Sequence, residues 1–198
     1  MHSVPAGIAL AVALLVHAPG LAAQAPTDSV MPRAGSWGAE ATYGGAPAAT
    51  LLRFSSPRAA WLVGASFSVS HESVDNVILT GPTTQVTTED RVITFVDARI
   101  GRRWWAGDAR SHLQPLRGLG LAGSYSNYSF ARTYSVGAYG ELGATWFFTP
   151  HVSLGASGEL VASYGEDRQA TGTSQPDRVT TRWGVRGNLA RVSAGVYF

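Results

Sequence analysis

The 198-residue chain contains no cysteine and no lysine, and all 15 of its basic residues are arginine. Without thiols it has neither a disulfide framework nor thiolate metal ligands. Charged residues make up only 14% of the chain, against roughly 25% in an ordinary soluble domain. Thirteen acids leave a formal charge of +2, and the arginines are scattered rather than gathered into the basic face that nucleic acid requires. No G-x-S-x-G elbow occurs, and His71, His112 and His151 are dispersed, so neither a metal nor a cofactor is expected. No apolar run reaches the about 20 residues of a spanning helix. Glycine is abundant instead, at 23 residues.

The apolar run Ile8 to Val16 is followed by Leu21-Ala22-Ala23-Gln24-Ala25. A short apolar core before a small-residue site of A-x-A type marks a secretory signal peptide, cut after Ala23 or Ala25. Residues 1–23 are therefore expected to be removed, residues 24–35 to form a Pro-, Thr- and Ser-containing linker, and residues 36–198 to form one domain.

That domain reads with period two. Tyr134, Val136, Ala138, Leu142, Ala144, Trp146 and Phe148 share one phase, and Ser135, Gly137, Glu141, Gly143 and Thr145 share the other. Val152, Leu154, Ala156, Leu160, Ala162 and Tyr164 likewise oppose Ser153, Gly155, Ser157, Glu159 and Ser163. Strict alternation is the pattern of strands with two unlike faces. It predicts eight strands, near 36–43, 49–55, 59–72, 90–105, 115–126, 133–148, 151–165 and 178–198. Ser56-Pro57-Arg58 and Thr149-Pro150 read as tight turns, whereas Ser73 to Glu89 and Glu166 to Asp177 read as long polar connections, the first rich enough in Thr and Val to continue the third and fourth strands beyond the lipid. Short turns alternating with long loops are typical of outer-membrane barrels.

Aromatic residues decide which face meets lipid. Trp37, Tyr43, Trp61, Trp104, Trp105, Trp146, Phe148 and Trp183 are expected to form interfacial girdles, with Tyr197 and Phe198 at the end of the last strand. A soluble core of Ser, Gly and Glu would have little drive to fold, because apolar burial supplies most of it. In the last strand Ala190, Val192, Ala194, Val196 and Phe198 fall in one phase, while Trp183, Val185 and Leu189 fall in the other, which predicts a β-bulge or a bent extension.

The aromatic carboxyl terminus on this alternating strand resembles the terminal strand of bacterial outer-membrane proteins. With the signal peptide and the hairpin pattern, the chain resembles the small eight-stranded outer-membrane barrels of OmpX, OmpW and OmpA transmembrane-domain type. The resemblance implies an all-β, antiparallel, up-and-down transmembrane barrel. It also implies a terminal strand read by the barrel assembly machinery, and partners that are outer-membrane lipid and lipopolysaccharide. A monomer is expected.

On the inward phase stand Glu40, Arg53, Asp97, Arg99, Glu141, Glu159 and Arg186. Charges turned into a narrow lumen must pair and hydrogen-bond, or each costs several kcal/mol. OmpA-like barrels carry such networks, and the resemblance implies one here. About eight strands enclose only enough room for side chains, so the lumen is expected to be plugged.

The leading functional expectation is a non-enzymatic barrel that acts through its extracellular hairpins, in a structural or adhesion-like role with an extracellular protein partner. OmpW-like passage of small hydrophobic molecules is an alternative that needs an apolar upper lumen, for which Leu62, Ile93 and Phe95 are candidates. A lipid A-modifying hydrolase is a third, since His151 and Ser153, with Glu159 or Glu166 beyond, match the His-x-Ser spacing of outer-membrane deacylases. There, however, an Asn follows the Ser where this chain has Leu154. Gly118-Leu119-Gly120-Leu121-Ala122-Gly123 satisfies G-x-G-x-x-G but does not open a helix, so it reads as barrel-strand glycines rather than a dinucleotide site.

Overall fold

A computed structural model describes residues 29–44, 48–80, 83–128, 131–169 and 178–198, so the signal-peptide reading lies outside the described residues. The strands are β1 (Trp37–Tyr43), β2 (Ala48–Ser56), β3 (Ala59–Thr80), β4 (Thr83–Trp105), β5 (Leu113–Tyr128), β6 (Ala131–Thr149), β7 (Val152–Gln169) and β8 (Arg178–Tyr197). Each pairs antiparallel with its sequence neighbours, and β8 returns to β1 from Gly38↔Tyr197 to Tyr43↔Val192, closing the barrel. Closure leaves no edge where all eight strands are present.

Alternation becomes inside and outside. Leu51, Val63, Phe67, Ile100, Leu119, Leu121, Val136, Leu142 and Leu160 are exposed on the outer face, while Glu40, Asp97, Arg103, Glu141, Glu159 and Arg191 are buried within. A soluble barrel has the opposite polarity, so the outer face is built for hydrocarbon.

The strands run further than the shortest reading of the alternation. Ser73 to Thr80 and Thr83 to Glu89, within a polar connection whose Thr and Val content allowed it to continue its strands, do continue β3 and β4, which stay paired from Ala59↔Trp104 up to Thr80↔Thr83. Val74, Val77, Ile78, Val86, Thr87 and Thr88 lie in that stretch, and β-branched residues favour extended pairing over an open loop. Glu166 to Gln169 likewise remain in β7. The phase slip in the last strand is a β-bulge: Ser157 faces Arg191 but Glu159 faces Asn188, so Leu189 and Ala190 together oppose Gly158. Below this bulge every residue of β8 changes face.

The wall has uneven height. β1 has seven residues and β2 nine, against 22 in β3 and 23 in β4. Pairing of β2 with β3 stops at Ala49↔Ala65. Above that level, among the described residues, β3 pairs only with β4, and β8 above Val192 only with β7, which leaves a notch over the β1–β2 hairpin.

The glycines of the G-x-G-x-x-G stretch have a packing role. Gly101, Gly120 and Tyr139 are register neighbours on β4, β5 and β6, and the buried Tyr139 ring lies over both glycines. A Cβ on Gly120 would stand 2.6 Å from Tyr139 Cε1, so only glycine admits the ring there.

Candidate functional site

The end of the barrel that carries the tight turns is sealed by apolar side chains. Phe54 stacks on Trp105 at 5.3 Å between ring centroids and meets Tyr197 edge-on at 5.4 Å. Phe147 packs against both, at 6.1 Å from Trp105 and 5.7 Å from Tyr197. Leu52, Leu62, Leu116 and Met31 belong to the same buried cluster. Met31 comes from the segment before β1, which is held by hydrogen bonds from the Val30 amide and the Ser29 hydroxyl to the Ala109 carbonyl. Trp105 therefore does not belong to the outer girdle: it shares the inward phase of Asp97 and Arg99, and its indole N–H donates to Thr145 Oγ1 at 3.1 Å. Tyr197 is inside for the same reason of phase.

Above the aromatic layer lies the ion network. Arg103 donates to Glu40 Oε2 at 2.5 Å and spans Glu141 with Nε and a terminal nitrogen, at 3.2 and 3.3 Å. Tyr197 donates to Glu40 at 2.9 Å, and the Ser157 hydroxyl donates to Glu141 at 2.8 Å. One layer higher, Glu159 accepts from Arg191 and, at 2.7 Å, from Arg99, whose other terminal nitrogen reaches Asp97 at 3.2 Å. Each carboxylate is thus met by at least one guanidinium, the condition under which charge is tolerated out of water.

Of the residues expected in this network, Glu40, Asp97, Arg99, Glu141 and Glu159 come together. Arg53 does not: it points outward, where its guanidinium lies 4.9 Å from the Trp37 ring and donates to the Gly35 carbonyl. Both faces of β2 are apolar, with Leu51 outside and Leu52 and Phe54 inside, so parity there was ambiguous. Arg186 faces the lumen but makes no ion pair among the described residues. Arg103 and Arg191 were missed. Arg103 carries the phase of Arg99, a readable signal, whereas Arg191 turns inward only because the bulge shifts the strand.

Above the network opens a cavity of about 370 Å³, lined by Ser66, Phe95, Asp97, Arg99, Glu159, Arg186 and Arg191 among others. Gly44, Gly187 and Asn188 also line it, which puts it against the notch. Ser66 Oγ and Arg99 Nε are buried there without a hydrogen-bond partner among the described residues.

No protein-family model and no curated protein matches the chain. Among solved structures it is similar to the outer membrane protein OprG of Pseudomonas aeruginosa, with 14% identity and a TM-score of 0.55 over 86% of this chain and 99% of that one. It also aligns with E. coli outer membrane protein W at 14% identity and a TM-score of 0.43, over 84% of this chain and 99% of that one. The N-terminal β-barrel domain of P. aeruginosa OprF aligns at 15% identity and a TM-score of 0.42, over 82% and 96%. The chain has the fold of a small outer-membrane β-barrel. Its apolar outer face is built to meet lipid across a membrane.

On the outside of this outer-membrane barrel, Trp37, Tyr43, Trp61, Trp146, Phe148 and Trp183 are exposed and Trp104 half-exposed. In the last strand Ala190, Val192, Ala194 and Phe198 are exposed and Val196 half-buried. Leu121 stands on β5 midway between Arg117 and Tyr125 and is exposed. Leu121→Arg is expected to destabilise the barrel by roughly 2–4 kcal/mol, the cost of a lipid-facing arginine near the bilayer midplane. Urea titration of refolded vesicle-bound protein measures it, and a loss under half a kcal/mol would place Leu121 outside the hydrocarbon.

The residues of the hydrolase reading do not form a charge-relay set. Ser153 Oγ is buried and bonded to the Tyr197 hydroxyl at 2.7 Å, while His151 Nδ1 contacts the Tyr197 carbonyl oxygen at 2.9 Å. Glu159 is engaged with Arg99 and Arg191.

Proposed function

We propose that the protein is a non-enzymatic, non-conducting anchor that presents the β3–β4 ribbon at the cell surface, where it takes an extended segment of an extracellular protein. One observation carries the reading: β3 from Ser66 to Thr80 is paired to β4 but has no strand on its other side among the described residues. A free edge is a template for β-augmentation, in which main-chain hydrogen bonds supply affinity. The tight turns at Ser56–Arg58 and Thr149–His151 lie at the opposite, sealed end, which is the periplasmic one in barrels of this type. Outer-membrane lipid and lipopolysaccharide surround a monomeric barrel in this reading, and the exposed Val192, Ala194 and Phe198 form the stretch offered to the assembly machinery.

The vestibule at the notch supports a second reading, entry of a small solute from the side. Its five charged side chains suit a polar solute, not the small hydrophobic molecules of the alternative above. Removal of residues 76–87 should abolish adhesion of expressing cells while the barrel keeps its heat-modifiable gel migration. Unchanged adhesion would remove the ribbon from the function. The intact protein should give no steady channel currents in planar bilayers, and large, stable conductance would overturn the sealed lumen.

A further inference from the structure

The outer face near the sealed end carries arginines that the interior network does not use. Trp37, Arg53, Trp61 and Arg102 are direct register partners across β1, β2, β3 and β4, so tryptophan and arginine alternate along one row. Arg53 lies 4.9 Å from the Trp37 ring, and Arg102 sits 5.2 Å from Trp61 and 5.6 Å from Trp104. Arg117, exposed on the same face, is the partner of Trp104 across β4 and β5. Every arginine of the interior network has a carboxylate, but Arg53 and Arg102 have none among the described residues, and Arg102 Nε is buried without a hydrogen bond. Aromatic stacking orients a guanidinium while leaving N–H donors for an oxyanion; Arg53 uses one terminal nitrogen for the Gly35 carbonyl and keeps the other.

The row directly above, toward the bilayer centre, reads Ala39, Leu51, Val63, Ile100 and Leu121 on β1 to β5. Arg53 and Arg102 stand two strands apart, about 10 Å between backbones, with Trp61 between them and Arg53 turned toward Trp37; both side chains are long enough to swing from their rings onto one phosphate. The geometry points to a binding site for an anionic glycerophospholipid of the periplasmic leaflet, with its phosphodiester between Arg53 and Arg102 and its acyl chains along the apolar row. A free phosphate would use the arginines but not that row, and the row commits the site to a lipid.

The test uses the refolded barrel in mixed micelles with equal phosphatidylglycerol and phosphatidylcholine, followed by native mass spectrometry of the retained lipid. Phosphatidylglycerol should be retained roughly tenfold or more over phosphatidylcholine, as two arginines at a membrane interface allow. The R53Q/R102Q variant should lose that preference, R102K should keep part of it, and R132Q, far from the row, should behave as the original chain. Millimolar inorganic phosphate should not displace the lipid. Equal retention of the two lipids by the unmodified chain, unchanged preference in folded R53Q/R102Q, or displacement by inorganic phosphate would each overturn the site. The unmodified chain needs no variant to fold, so the first measurement decides by itself. None of these outcomes bears on the β3 edge.

Discussion

Arg103→Met destabilises the folded barrel by about 3–5 kcal/mol, the expected result of removing one partner from a buried ion network. The loss has a specific origin. Among the described residues Arg103 is the only guanidinium hydrogen-bonded to Glu40, and it also binds Glu141 through two nitrogens, so its removal leaves these two carboxylates with hydroxyl donors alone there. Methionine fills similar volume, which keeps the effect from being one of cavity formation. The triple variant Arg103→Met, Glu40→Gln, Glu141→Gln should recover most of the stability, because a neutral set of similar shape avoids the desolvation that the ions require. Equilibrium urea unfolding in lipid vesicles, read by tryptophan fluorescence, measures both. A single variant within 1 kcal/mol of the original chain would mean that water reaches this layer and screens it.

Phe54→Ala is expected to cost about 3–5 kcal/mol, as for other large aromatic truncations in a packed core. Phe54 is almost fully buried and bridges Trp105 and Tyr197, and Tyr197 in turn donates to Glu40. The truncation thus leaves a void directly beneath the ion network. Because Trp105, Phe147, Leu52 and Leu62 still cover the mouth, the lumen should remain closed to ions. Urea midpoints measure the first effect and bilayer recordings the second. A cost below 1 kcal/mol would show that the cluster collapses around the gap.

How far these layers were readable differs strand by strand. Along β6 and β7 the two faces differ so strongly in chemistry that Glu141 and Glu159 were assigned inward from parity alone. Along β2 the inward face is apolar because it forms the seal, so parity had no contrast to report and Arg53 was assigned to the wrong side. Trp105 and Tyr197 carry the composition of girdle residues, because composition near a strand end does not distinguish an aromatic facing lipid from one plugging a mouth. The bulge opposite Gly158 was visible as a slipped phase, but its consequence, Arg191 turning to meet Glu159, needed the paired register.

Period-two patterning, a scarcity of charge and an aromatic terminal strand were enough to establish an eight-stranded barrel with a greasy exterior, since side-chain alternation is a local property of extended chain. Which arginine meets which carboxylate, the low wall at β1 and β2, the free edge of β3 and the alternating tryptophan and arginine row arise only on closure. They depend on how many residues each strand contributes and on the offset between neighbours, and those are relations between distant segments that no single stretch of sequence encodes.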